Sequence, residues 1–174
     1  MLRNVLALSV MCVTTAIAGS EVSSVAPVDE FLEFSFEGKT FRYDKLDAVV
    51  SLDHSSGKLD VTIGAARDLF EPGPRYAIYW FTSADDPPKV GIVTSRVMIA
   101  LDVPGMNRAL INLPPTGSVS VYLTLVSDKV IAGTFTAENL LLVSSPRWRD
   151  GPRTEVPTVS GKFQATRWDI EHDG

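Results

Sequence analysis

From about residue 30 onward the chain repeats one pattern: short runs rich in Val, Ile, Phe, Tyr and Thr, cut at close intervals by Gly, Pro, Asn and Asp. No stretch shows sustained helical periodicity. Alternating apolar and polar residues let a strand bury one face, and the punctuating residues supply the turns, so the pattern dictates many short strands. Phe34 and Phe36 alternate with Glu33 and Ser35, and Phe41 and Tyr43 with Thr40 and Arg42, around the turn Glu37-Gly38-Lys39. Leu59, Val61 and Ile63 alternate with Asp60 and Thr62 after the turn His54-Ser55-Ser56-Gly57. In the run from Arg75 to Thr82, Tyr76, Ile78 and Trp80 face one way and Ala77, Tyr79 and Phe81 the other. Both sets are apolar, which predicts a central strand that is covered on both sides or lines a groove.

The runs that follow are Val90 to Val103 as one long or broken strand, Ala109 to Leu113, Val119 to Val126 and Val130 to Ala137. A loop from Ser144 to Pro157 then leads to a last strand from Thr158 to about Ile170. The expected fold is all-β: an antiparallel β-sandwich or flattened barrel of about nine to ten strands, immunoglobulin-like or jelly-roll-like. A parallel sheet requires crossover helices, for which the pattern leaves no room.

The first residues carry a different signal. Met1-Leu2-Arg3 precedes an apolar stretch from Val5 to Ala18 that closes in Ala16-Ile17-Ala18. A cationic start, a short apolar middle and small residues at the end read as a secretory signal peptide, with cleavage expected after Ala18. Residues 1–18 are thus leader, 19–29 a flexible lead-in, 30–170 a single domain and 171–174 a tail. Cleavage removes Arg3 and no acid, taking the formal charge from −5 to −6, and it removes Cys12, the single cysteine. The expected mature protein is periplasmic or secreted, has no transmembrane segment, and relies on a packed core rather than a disulfide.

An acidic chain with no basic arm argues against a nucleic-acid partner, since phosphate binding draws on clustered Lys and Arg. Chemistry is equally sparse. Of the two histidines, His54 lies in Asp53-His54-Ser55-Ser56-Gly57, where the three residue types of a catalytic triad stand too close in sequence to aim at one another, and His172 belongs to the tail. Asp44, Asp47, Asp53 and Asp60, and the pair Asp85-Asp86, match no calcium-loop spacing. They read as solvated acids. No metal site and no cofactor is expected. One segment reverses the local charge: Ser145-Pro146-Arg147-Trp148-Arg149-Asp150-Gly151-Pro152-Arg153. Arg147, Trp148, Arg149 and Arg153 are the candidate ligand-binding residues, able to stack on a sugar or clamp an acidic group. The structural alternative has Trp148 closing one end of the domain while the arginines pair with nearby acids.

Near the end, Gly133-Thr134-Phe135 and Gly161-Lys162-Phe163 flank the variable loop. This stretch resembles the closing strands of a group of exported bacterial β-sandwich domains of unknown function. The resemblance implies fold and export and carries over no functional residue. The expectation is therefore a non-enzymatic binding or interaction domain of the bacterial periplasm or exterior, with another exported protein or a glycan as partner. Two alternatives stand beside it: a cell-wall or polysaccharide hydrolase using paired carboxylates, and a structural subunit of a surface assembly.

Overall fold

Alternation along the chain resolves into strands alone among the residues that the computed structural model describes, 28–64, 76–112, 117–144 and 153–172. In chain order they are β1 (Phe31–Phe36), β2 (Lys39–Asp44), β3 (Asp47–Asp53), β4 (Lys58–Gly64), β5 (Tyr76–Ser83), β6 (Gly91–Ile92), β7 (Val97–Val103), β8 (Arg108–Ile111), β9 (Ser118–Val126), β10 (Val130–Ser144) and β11 (Thr154–His172). The expected leader, most of the lead-in and the segment 145–152 lie outside the described residues.

All eleven strands belong to one hydrogen-bonded sheet, in the order β2-β1-β11-β3-β4-β5-β7-β8-β10-β9-β6, with β10 also paired to β11. The long β10–β11 hairpin organises it. β11 pairs with β1 through Ser160–Gln164 and with β3 through Thr166–His172. β10 pairs with β9 through Ile131–Glu138 and with β8 through Leu141–Ser144. The run β3-β4-β5-β7-β8 therefore starts from one end of the hairpin and returns to the other, while β1–β2 and β9–β6 extend from its middle.

The hairpin changes neighbours where its inward-facing pattern slips. Ala137 and Leu140 are buried with Glu138 and Asn139 exposed between them, and opposite them Val156 and Val159 are buried around exposed Pro157 and Thr158. Asn139 adopts a φ of 53°, and Pro157 brings no N–H to the ladder at this point. This is the step at which β10 passes from β9 to β8.

The two glycines of the closing signature have a packing role. Gly133 lies directly opposite Phe163, and Gly161 directly opposite Phe135. Each ring occupies the space that a side chain on the facing glycine would need. A Cβ on Gly161 would stand 2.4 Å from the Glu33 carbonyl oxygen and 2.4 Å from Phe135 Cε1; one on Gly133 would stand 2.6 Å from the Tyr122 carbonyl oxygen and 2.9 Å from Phe163 Cζ. Phe34, Phe135 and Phe163 then join Ile63, Ile78, Trp80, Ile99 and Leu101 in one contiguous core.

Polar groups complete the packing. The Tyr43 hydroxyl donates to the Asp102 carbonyl oxygen, and its ring stacks on Tyr76 at 4.1 Å, tying β2 to β7 and β5. Burial first, and then the Asp102 charge, push the Tyr43 pKa upward, so the hydroxyl stays protonated and available as donor. Asn112 is buried just past β8. Its Oδ1 accepts from Ile99 N–H at 2.7 Å and its Nδ2 donates to the Val97 carbonyl at 2.9 Å, so the side chain prolongs the ladder that the β8 backbone leaves off.

Four expectations change. The strands among the described residues number eleven, because the segment from Val90 to Val103 breaks: Gly91 and Ile92 pair with β9, whereas Val97 onward pairs with β5 and β8. The sheet is mixed, because β3 and the end of β11 run parallel. This pairing needs no crossover helix, since almost the whole domain lies between its two strands. The final strand begins at Thr154, since Val156 pairs with Leu140 and is buried. Finally, Glu171 and His172, read from the sequence as tail, continue β11 beside Leu52 and Asp53.

Candidate ligand-binding face

Of the four residues singled out from the sequence, Arg147, Trp148 and Arg149 lie outside the described residues, and Arg153 stands exposed just before β11. The acids named above are spread over β2, β3, β4 and the loop after β5. Asp44 accepts from Arg42 Nε at 2.9 Å, Asp86 from Lys89 at 2.6 Å and Asp47 from Trp168 Nε1 at 3.0 Å.

Asp53 caps its own turn. Its carboxylate accepts from Ser55 N–H at 2.9 Å, Ser55 Oγ at 2.6 Å and Ser56 Oγ at 2.5 Å, and its carbonyl accepts from Gly57 N–H at 2.9 Å. These donors, the Ser55 hydroxyl foremost, lower its pKa from 3.8 to about 2. The folded value lies below the unfolded one, so the stabilisation is complete above about pH 4 and disappears as the pH falls toward about 2. Asp53→Asn is expected to remove that part of the acid dependence. Melting temperatures of the two proteins should differ most at neutral pH and converge at the acid end; a constant gap between them contradicts the assignment.

The two outward surfaces of the sheet differ in kind. On the side formed by β11, β3, β4, β5 and β7, aromatic and apolar side chains stand among the outward residues: Trp168 and Ile170 lie beside Val49 and Ser51, and Tyr79 and Phe81 lie between Thr62, Asp60 and Met98. Tyr79 and Phe81 meet edge to face at 5.1 Å. Phe81 and Trp168 are each 45% exposed. The expectation that β5 is covered on both sides or lines a groove is corrected: its second face is apolar but opens outward, because among the described residues Phe81 pairs with Asp60 on β4 and with no residue of β7, and it stays exposed.

The side formed by β9, β10, β11, β1 and β2 is polar and ordered in rows. Direct cross-strand pairing aligns Ser120, Thr136, Ser160, Ser35 and Thr40, one hydroxyl residue from each of five adjacent strands. All five are exposed. With strands about 4.8 Å apart, the row extends for about 19 Å across the sheet. Ser35 Oγ and Thr40 Oγ1 stand 3.5 Å apart. Among the described residues the hydroxyls of Ser120, Thr136 and Ser160 have no side-chain hydrogen bond.

The neighbouring row reads Tyr122, Thr134, Lys162, Glu33 and Arg42. Its charges are mutually compensated. Lys162 Nζ stands 3.2 Å from Glu33 Oε1, and Arg42 bridges Glu33 at 3.9 Å, Asp29 at 3.3 Å and Asp44 at 2.9 Å. Both cations also lie over the Phe31 ring, at 4.6 Å for Arg42 and 5.6 Å for Lys162. Arg42 rises in pKa, chiefly through its hydrogen bond to Asp44. Between the two rows runs an open groove of about 360 Å³, bordered by Glu33, Ser35, Thr134, Thr136, Ser160 and Lys162. Each hydroxyl there can donate one hydrogen bond and accept others, so the groove suits a ligand rich in the same groups.

Sequence reasoning singled out none of these serines and threonines as a site, because only the register of five strands brings them into line. In comparisons with known proteins, no family model, curated protein or solved structure matches this chain, so its functional reading rests on the face itself.

Proposed function

We propose that the chain is an exported, non-enzymatic binding domain of the bacterial periplasm or exterior, folded as a flattened β-sandwich or barrel, which holds a glycan on its polar face. The single observation that supports the reading is the groove beside the row Ser120, Thr136, Ser160, Ser35 and Thr40, where uncommitted hydroxyls stand at regular strand spacing. Protein interfaces concentrate aromatic and apolar side chains at their centre, and this face has hydroxyls there instead. The apolar leader supports export, and the return of β3-β4-β5-β7-β8 onto the β10–β11 hairpin supports the layered or barrel arrangement.

The test is retention of the protein, produced from the full chain, on immobilised bacterial envelope and extracellular polysaccharides. Retention without release of new reducing ends is expected. Failure of the folded protein to bind any of them contradicts glycan recognition, and release of reducing ends would favour a hydrolase.

A further inference from the structure

Resting on the glycan reading, we infer that the ligand is an uncharged polysaccharide chain and that it lies across the strands, along the hydroxyl row, instead of parallel to them. Charge decides the first part. An anionic glycan needs a cation free to meet it, but Lys162 and Arg42 are held by Glu33, Asp29 and Asp44 and by the face of Phe31. Three carboxylates beside two cations leave this patch with no positive surplus. Binding an acidic sugar there would bring its charge toward those carboxylates and break existing pairs.

Direction follows from how the hydroxyls are placed. Along β11 and β1 the outward residues change character within two positions, from Ser160 to Lys162 to Gln164 and from Ser35 to Glu33 to Phe31, whereas β10 keeps Thr134 beside Thr136 and β9 Ser118 beside Ser120. Across the strands the character is constant along one row, Ser120, Thr136, Ser160, Ser35 and Thr40. A chain that repeats the same hydroxyl pattern finds a run of five equivalent partners along this row and no more than two outward Ser or Thr in succession along β9, β10, β11 or β1. At its β9 side, the adjoining row ends in Tyr122, 47% exposed and paired to Ile92, an apolar platform for the carbon face of a sugar ring.

The experiment is affinity electrophoresis of the protein produced from the full chain, through gels containing a neutral β-glucan, a neutral galactomannan or an anionic polyuronate. At least one neutral polymer should retard it, with little change between about 50 and about 500 mM salt, because screening acts on charges and not on neutral hydroxyls. The double variant Thr136→Val with Ser160→Ala should weaken that binding about tenfold, corresponding to about 1.4 kcal/mol, with an unchanged melting temperature. Phe81→Ala, on the opposite surface, should leave it unaltered. Retardation by the polyuronate alone, abolished by salt, overturns the uncharged-ligand inference and leaves glycan binding standing. Undiminished affinity of the double variant overturns the placement along the row. No retardation by any of the three polymers overturns this inference, and retention on the envelope polysaccharides then decides the broader reading separately.

Discussion

Gly161→Ala is expected to destabilise the protein by about 3 kcal/mol or more, at the upper end of what overpacking a core costs. The added Cβ would lie 2.4 Å from the Glu33 carbonyl oxygen and between 2.4 and 2.5 Å from two atoms of the Phe135 ring. Neither neighbour yields easily, because the carbonyl belongs to paired strand β1 and the ring is 2% exposed inside the core. The companion variant Phe135→Leu separates the two contacts. Shortening the ring should relieve part of the strain in the double variant, so the two changes combine to less than their sum, whereas the Glu33 contact persists. Urea unfolding of the four proteins measures this, and strict additivity would show that Gly161 and Phe135 are not packed on one another.

Trp80→Ala is expected to cost about 3–5 kcal/mol, a large share of the roughly 5–15 kcal/mol that keeps a domain folded. Trp80 is 2% exposed, and its cross-strand neighbours Val61 and Val97 are buried with it. One residue further along the same strand, Phe81→Ala should cost about 1 kcal/mol or less, since that side chain stands in the outward row beside Asp60. The contrast between adjacent aromatics is the test of which face of β5 meets the core. Equal losses would mean that both faces are covered.

Strand positions were legible in the sequence wherever alternation was strict. β4 and β1 were readable from Leu59-Val61-Ile63 and Phe34-Phe36, because period two and one-sided burial are the same fact seen twice. β10 and β11 were not readable at their adjoining ends, because alternation is interrupted at Glu138-Asn139 and Pro157-Thr158, where the hairpin changes neighbours. Pro157 reads locally as loop chemistry, and only the pairing of Leu140 with Val156 turns that stretch into strand. The parallel pairing of β3 with β11 joins residues more than a hundred positions apart and has no local signature.

Much the same holds for the site. The Gly-x-Phe repeats could be seen as a motif, but their meaning is reciprocal: each glycine makes room for the other strand's phenylalanine, which requires knowing that Gly133 faces Phe163 and Gly161 faces Phe135. Ser120, Thr136, Ser160, Ser35 and Thr40 are individually unremarkable polar residues on exposed strand faces. Register makes them a row, and register is a property of pairing rather than of any one strand. The Arg and Trp segment stood out for the opposite reason, since its composition is concentrated within a few consecutive residues.

The most direct measurement is a titration of the isotope-labelled protein with the neutral polysaccharide that retards it, followed by backbone amide chemical shifts. Changes concentrated at Ser35, Thr40, Ser120, Thr136 and Ser160 are the predicted result. Changes confined to the surface around Phe81, Met98 and Trp168, with the hydroxyl row silent, would contradict the assignment of the polar face as the binding surface.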